Sequence, residues 1–171
     1  MEMAVVNFAR ILWQNHAVTY DLDIANSEIK SASRNRSAAY LMQSLGLLDN
    51  PVEDVIEAYC KQCAIKMSCV DLAKTALFYA TGGDHLITKP ASLNSWQARQ
   101  IYTLMLNCGN YESSGEIAYR LGLPSKSGVG GGIMAVIPGQ AGICVWSPKL
   151  DLSGVSVAGC KALEFLTQKT L

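Results

Sequence analysis

Residues 121–137, LGLPSKSGVGGGIMAVI, set a lysine, a serine and a glycine run directly ahead of an apolar stretch. Lys126-Ser127-Gly128 fits the K-[ST]-G pattern, in which a strand edge brings a cation, a hydroxyl and bare backbone N–H groups to one side of a serine nucleophile. The glycines at 128 and 130–132 let backbone approach a ligand closely. A phosphate cradle also uses glycine, but neither G-x-x-x-x-G-K-[ST] nor G-x-G-x-x-G is met, and these glycines precede a strand pattern rather than a helix. Ser27-Glu28-Ile29-Lys30 is the one S-x-x-K in the chain. On a helix that spacing lets the amine take the hydroxyl proton, which would make Ser27 a nucleophile. Cys60 and Cys63 form C-x-x-C inside a helical pattern, far in sequence from His16 and His85. They are expected to be two small buried residues on one helical face rather than a zinc or redox site.

The elements that must position these residues fit a single domain or a large piece of one, since 171 residues that are 50% hydrophobic can bury a core. Fourteen basic residues balance 14 acidic ones, and no basic stripe is present to follow a phosphate backbone, so nucleic acid is not an expected partner. Apolar runs such as 132–138 are too short to span a bilayer, and the first residues lack the order of a secretory signal. A cytoplasmic protein is the expectation, with its six cysteines reduced.

The periodicity predicts a helix over Met3 to Trp13, an extended segment from His16 to Ile24, and a helix over Arg34 to Leu45 stopped by Gly46. Asn50-Pro51-Val52-Glu53 reads as a helix start with Asn50 at the cap. That helix is expected to run to about Met67, burying Val52, Val55, Ile56, Tyr59, Cys60 and Cys63. Further helices are expected over Asp71 to Thr81, closed by Gly82-Gly83, and over Ser95 to Cys108, with Trp96, Ile101, Leu104, Met105 and Cys108 inward. A short helix starts at Ser114-Gly115 and closes at Gly122. Gly132 to Ile137 and Gly142 to Trp146 read as a hairpin joined through Pro138-Gly139-Gln140-Ala141. The final helix, Val155 to Thr167, is expected to lay Val157, Leu163, Phe165 and Leu166 across that sheet. Helices first and strands last make the fold class α+β.

Cys108-Gly109-Asn110-Tyr111, Ser114-Gly115-Glu116, the K-S-G triplet and Gly142-Ile143-Cys144-Val145-Trp146-Ser147-Pro148-Lys149-Leu150-Asp151 follow one another in a fixed order. Ser27-Glu28, Arg34-Asn35-Arg36, Ala39-Tyr40-Leu41-Met42, Tyr59-Cys60-Lys61-Gln62-Cys63 and Asp71-Leu72-Ala73 precede them. From about residue 13 to 169 the chain resembles the C-terminal half of the serine-dependent glutaminases, which hydrolyse L-glutamine to L-glutamate and ammonia. The resemblance implies a β-lactamase/transpeptidase-like fold and a serine acyl-enzyme without metal or organic cofactor. Family members carry their nucleophilic Ser and Lys in an S-x-x-K ahead of this region, with a Tyr before it and an Asn in N-A-G-A-I. None of those is recognisable here, so residues 1–171 are expected to form a partial domain. Its sheet should be incomplete, and its apolar surface should need a cover, from a homo-oligomer or from the nucleophile half.

What the resemblance implies for single residues can be weighed against their plainer roles. Glu28 contacts the substrate α-ammonium, and Asn35, seven residues on, would donate its amide to the α-carboxylate from the same helical face. A cap or a solvated polar residue is the plain reading of both. Tyr59 and Tyr111 carry over as pocket tyrosines, although Tyr59 on an apolar stripe also reads as a core residue. Tyr111, at a glycine-loosened helix end, suits chemistry. To act as a base its phenol needs its pKa, ordinarily about 10, lowered by a cation such as Lys126. Asn110, where the family carries Met, reads as peripheral. Val129 would give its N–H to the oxyanion. In the order of motifs Ser27 matches the family's Ser-Glu segment, where the glutamate is the functional residue. The alternative to an amidohydrolase is a catalytically inactive amino-acid-binding or assembly module that keeps the same groups.

Overall fold

The structure, a computed structural model, describes residues 2–84 and 93–170, and the chain divides into two compact units, Met1–Met67 and Ser68–Leu171.

The first unit is helical: α1 Glu2–Trp13, α2 Leu22–Ser31, α3 Ser33–Ser44 and α4 Val52–Cys63. Val6, Ala9, Leu12 and Trp13 recur at helical spacing on α1 and are buried. Part of the expected extended segment is helix instead. Asp21 accepts hydrogen bonds from the Asp23 and Ile24 N–H groups at 3.0 and 3.1 Å, so α2 starts at Leu22 and only Tyr20 keeps an extended pairing, with Ile65. That pairing also ends α4 early: Asp21 N–H reaches Ala64 O and Lys66 N–H reaches Thr19 O, drawing the chain out of the helix after Cys63 rather than at Met67. The α4 cap is Pro51, with no side-chain bond from Asn50. Gly46, at φ 70°, closes α3 as expected, with Leu47 N–H bonded to Met42 O. Ala32, Ala39, Val52, Ile56 and Cys60 form the unit's core, while Tyr59 and Cys63 of the expected stripe are exposed and Val55 is half-buried.

The second unit holds α5 Cys69–Thr81, α6 Ser95–Cys108, α7 Ser114–Leu121 and α8 Val157–Thr170 around an antiparallel sheet. Its strands are β1 Ser125–Ser127, β2 Gly132–Ile137 and β3 Ala141–Trp146, in spatial order β1-β2-β3. The hairpin falls where the sequence places it: Gln140 N–H bonds to Ile137 O across Pro138 and Gly139, with Gly139 at φ 73°. Ser125–Ser127, which takes in the lysine and serine of the Lys-Ser-Gly triplet, makes a third strand, beyond the hairpin pair expected. Capping boxes at Ser68/Asp71 and Asn94/Gln97 start α5 and α6, and Gly82 and Gly122 close α5 and α7 in the left-handed region.

Strand β2 is apolar on both faces because both are covered. Ile133 and Ala135 join Ile117, Leu121, Val155, Cys160 and Leu163, whereas Met134 and Val136 join Ala76, Ala80 and Met105. The sheet thus lies between α5 and α6 on one side and α7 and α8 on the other, an α+β arrangement. Of the residues expected to turn inward, Trp96, Leu104 and Cys108 on α6 and Val157, Phe165 and Leu166 on α8 are exposed. Among the described residues no helix is long and apolar enough to cross a membrane.

Candidate functional site

Each unit carries its own group of candidate residues. In the second, the end of α6 is drawn against β1 so closely that only glycine fits: a Cβ on Gly109 would lie 2.0 Å from Ser125 O. Ser127 N–H bonds to Gly109 O at 3.0 Å and fixes this register. The next residue, Asn110, is 1% exposed, and its Nδ2 donates to Ser125 Oγ at 2.8 Å. Its Oδ1 accepts no hydrogen bond among the described residues, so Nδ2 and the backbone hold the side chain in place.

Tyr111 follows at φ 54°, a conformation that costs a bulky residue about 1–3 kcal/mol and persists only where its surroundings enforce it. Ser114 is part of that enforcement. Its Oγ accepts the Asn110 N–H at 2.9 Å and donates to the Tyr111 carbonyl at 2.7 Å. A 3-10 turn over Tyr111–Ser113 then leads into α7, and Ser113 Oγ meets Ser153 Oγ at 2.9 Å.

The Lys126 side chain is the outward one of its strand, between buried Ser125 and Ser127, and its Nζ stands 4.8 Å from the centre of the Tyr111 ring. The ammonium also donates to the Ser127 carbonyl. Gly128 to Gly131 form a turn closed by Gly131 N–H to Gly128 O at 2.9 Å. Val129, at its second position, is 59% exposed, and its N–H enters no hydrogen bond among the described residues. A Cβ on Gly154 would lie 3.6 Å from Val129 Cγ1 and 3.7 Å from Tyr111 Cε2. Tyr111, Lys126 and Val129, separate in sequence, therefore gather at one corner with the 151–155 loop. Asp151 Oδ1 shapes that loop by accepting the Ser153 and Val155 N–H groups at 2.9 Å each.

In the first unit Glu28 and Asn35 do not share one helix. The chain leaves helical geometry at Ala32 (ψ 28°), and Ser31 Oγ donates to the Ser27 and Glu28 carbonyls, competing with the backbone there. Arg36 supplies the link. It grips Glu53 of α4 through Nε and Nη2 at 3.0 Å each and donates from Nη1 to Ile29 O at 2.7 Å. That grip holds the Glu53 carboxyl below its ordinary value and the Arg36 guanidinium above its own.

Glu28, half-buried on α2, lies near Cys60 of α4. Burial pushes the Cys60 thiol up, with Cys63 and then the Glu28 charge adding to it. Asn35 is exposed on α3, and Tyr59 is 49% exposed on α4, which removes the core reading of that tyrosine. Ser27 and Lys30 are both exposed on α2 with no hydrogen bond joining them among the described residues.

The family model for glutaminase matches residues 2–171. The chain belongs to the glutaminase family. A glutaminase of Ralstonia nicotianae is 52% identical over 166 residues, which are 97% of this chain and 55% of that protein. One from Paraburkholderia phytofirmans is 50% identical over 169 residues, 99% of this chain and 56% of the relative. The chain thus spans about half the length of the curated glutaminases it matches. Among solved structures, a covalent complex of a Bacillus subtilis glutaminase with 5-oxo-L-norleucine superposes with a TM-score of 0.86. It is 33% identical, over 96% of this chain and 58% of that one.

The glutaminase resemblance points to Glu28, Asn35, Tyr59, Tyr111, Lys126 and Val129, but misses what holds them. Asn110, read from the sequence as peripheral, is buried and bonded to buried Ser125, and Ser114, Ser153 and Gly154 complete the corner. A buried side-chain pair between residues 110 and 125 leaves no periodic signal. The glycine at 109 was the one visible clue that backbones meet there.

Proposed function

We propose that this chain supplies the substrate-binding and oxyanion groups of a glutamine amidohydrolase working through a serine acyl-enzyme. The observation that carries the reading is the corner of Tyr111, Lys126 and Val129, where a strained tyrosine, a cation against its ring and an unengaged backbone N–H lie together. Attack of a serine oxygen on the glutamine side-chain carbonyl creates a tetrahedral oxyanion, and a backbone donor such as the Val129 N–H stabilises it without reorganising. Collapse breaks the C–N bond, and the leaving nitrogen takes a proton to depart as ammonia. Tyr111 is the group assigned to proton transfer, with Lys126 the adjacent charge that favours a phenolate. Water then attacks the acyl-enzyme and releases glutamate.

The α-amino-acid end of glutamine needs a carboxylate for its ammonium and a donor for its carboxylate. Glu28 and Asn35 are assigned to these, with Tyr59 as a pocket wall. The serine and its lysine are assigned to the part of the relatives' length that this chain does not span, joined in cis or in trans. Exposed Ser27, unbonded to Lys30, stays outside the assignment.

The test is ammonia release from glutamine by the pure chain, alone and mixed with a glutaminase N-terminal half. Turnover only in the mixture supports the reading. Turnover by the chain alone that disappears in Ser27→Ala would transfer the nucleophile to α2. Glutamine binding without turnover in either case would favour an inactive amino-acid-binding module.

A further inference from the structure

Helix α5 lies directly on β3. A Cβ on Gly142 would sit 2.1 Å from Leu77 N and 2.4 Å from Ala73 O, so helix and strand backbones touch there. Two further contacts fix their relative direction. At the hairpin end Gly139 N–H bonds to Ala80 O at 2.9 Å, and at the other end a Cβ on Gly132, the partner of Trp146, would meet Leu72 Cδ2 at 3.3 Å. The strand therefore runs from Gly142 toward Trp146 as the helix runs back from Leu77 toward its first residue. Cys144 is two residues beyond Gly142 and shares its face, the one turned to α5. Cys69 is one helical turn before Ala73, at the first position of α5. A two-residue step on a strand and a four-residue step on a helix cover about the same 6 Å, so both thiols arrive at the same level.

We propose that Cys69 and Cys144 are a redox dithiol that closes reversibly into a disulfide, fastening the start of α5 to β3. Cys69 is exposed and Cys144 half-buried, which orders the chemistry. Oxidised glutathione serves as the oxidant. The Cys69 thiolate attacks one of its sulfurs, the glutathione S–S bond breaks, and the departing glutathione thiolate takes the proton that Cys69 released. Cys144 then attacks Cys69 Sγ in the mixed disulfide, and the second glutathione leaves with the Cys144 proton. Two protein thiols lose two electrons, and one small disulfide becomes two thiols. In the reduced form the Cys144 thiol is pushed up to about 12, by burial first and then by a hydrogen bond with Cys69. The Cys144 thiol therefore stays protonated beside Cys69 until Cys69 is engaged.

The test uses the whole chain, reduced and then exposed to oxidised glutathione, with free thiols trapped under denaturing conditions. The expected result is a fall from six free thiols to four, a mass lower by two hydrogens, and one cross-linked peptide joining residues 69 and 144. Cys144→Ser should instead stop with one glutathione on Cys69, and a thiol reductant should restore the starting mass in both. A persistent glutathione adduct on wild-type Cys69, a Cys60–Cys63 disulfide in its place, or six unreacted thiols would each overturn the proposal. The assay reads thiols and not glutamine turnover, so its outcome is independent of the reaction proposed above.

Discussion

The ammonium of Lys126 stands 4.8 Å from the centre of the Tyr111 ring, although helix α7 and the turns around it lie between them in the chain. In the complemented enzyme Tyr111→Phe removes only the hydroxyl. If that hydroxyl moves a proton, kcat falls on the order of 10² to 10⁴-fold while the thermal midpoint barely changes. A rise in KM with kcat intact would reduce the phenol to a binding group.

Val129 occupies the second position of the Gly128 to Gly131 turn, a position that proline also suits. Val129→Pro deletes the N–H and keeps the turn, so kcat should fall about 10² to 10³-fold, as for loss of one oxyanion donor. Val129→Ala, which keeps the N–H, should stay near wild type. Equal activity of the two variants would place the oxyanion elsewhere.

Glu28→Gln keeps shape and removes charge. If Glu28 holds the substrate ammonium in the complemented enzyme, loss of that charge-assisted hydrogen bond corresponds to about a 10- to 150-fold rise in KM for glutamine. An unchanged KM would leave Glu28 as a residue of the α2–α4 packing alone.

Gly109→Ala forces a Cβ to within 2.0 Å of Ser125 O and 2.3 Å of Met105 O, both backbone atoms that cannot swing aside. The cost should be on the order of 3 kcal/mol, read as a drop in the urea midpoint. Gly115→Ala is the comparison: nothing lies within 4 Å of its Cβ on α7, and the variant should be neutral or slightly stabilising.

Glu164 bonds to Arg120 at 2.9 Å and Lys161 at 3.1 Å, and those cations hold its carboxyl below the ordinary 4.5. An acid with a depressed folded pKa contributes stability that is complete above its unfolded value and lost as pH falls through the folded one. The difference in Tm between wild type and Glu164→Gln should hold from about pH 7 to pH 5 and shrink below about pH 4. A difference that persists unchanged at low pH would mean that the charge is not the cause.

The amino-acid sequence by itself determined the helices whose signals are local. Gly46, Gly82 and Gly122 closed α3, α5 and α7 because only a residue without Cβ enters the left-handed cap cheaply. The run GIMAVI and the Pro138-Gly139 turn likewise specified a hairpin whose central strand is buried on both faces. The motif order specified the family and the six candidate residues. Tertiary structure decided what depended on distant partners. Tyr20 and Ile65 paired across the first unit and so cut α4 short, and Ser125–Ser127, beside Gly109, paired with β2 as a third strand. The meeting of Gly109 with Ser125 buried Asn110 and held Tyr111 at a positive φ beside Lys126. Periodicity reports which face of a segment is apolar, but only long-range hydrogen bonds and packing decide which segments meet, and the site is made where they meet.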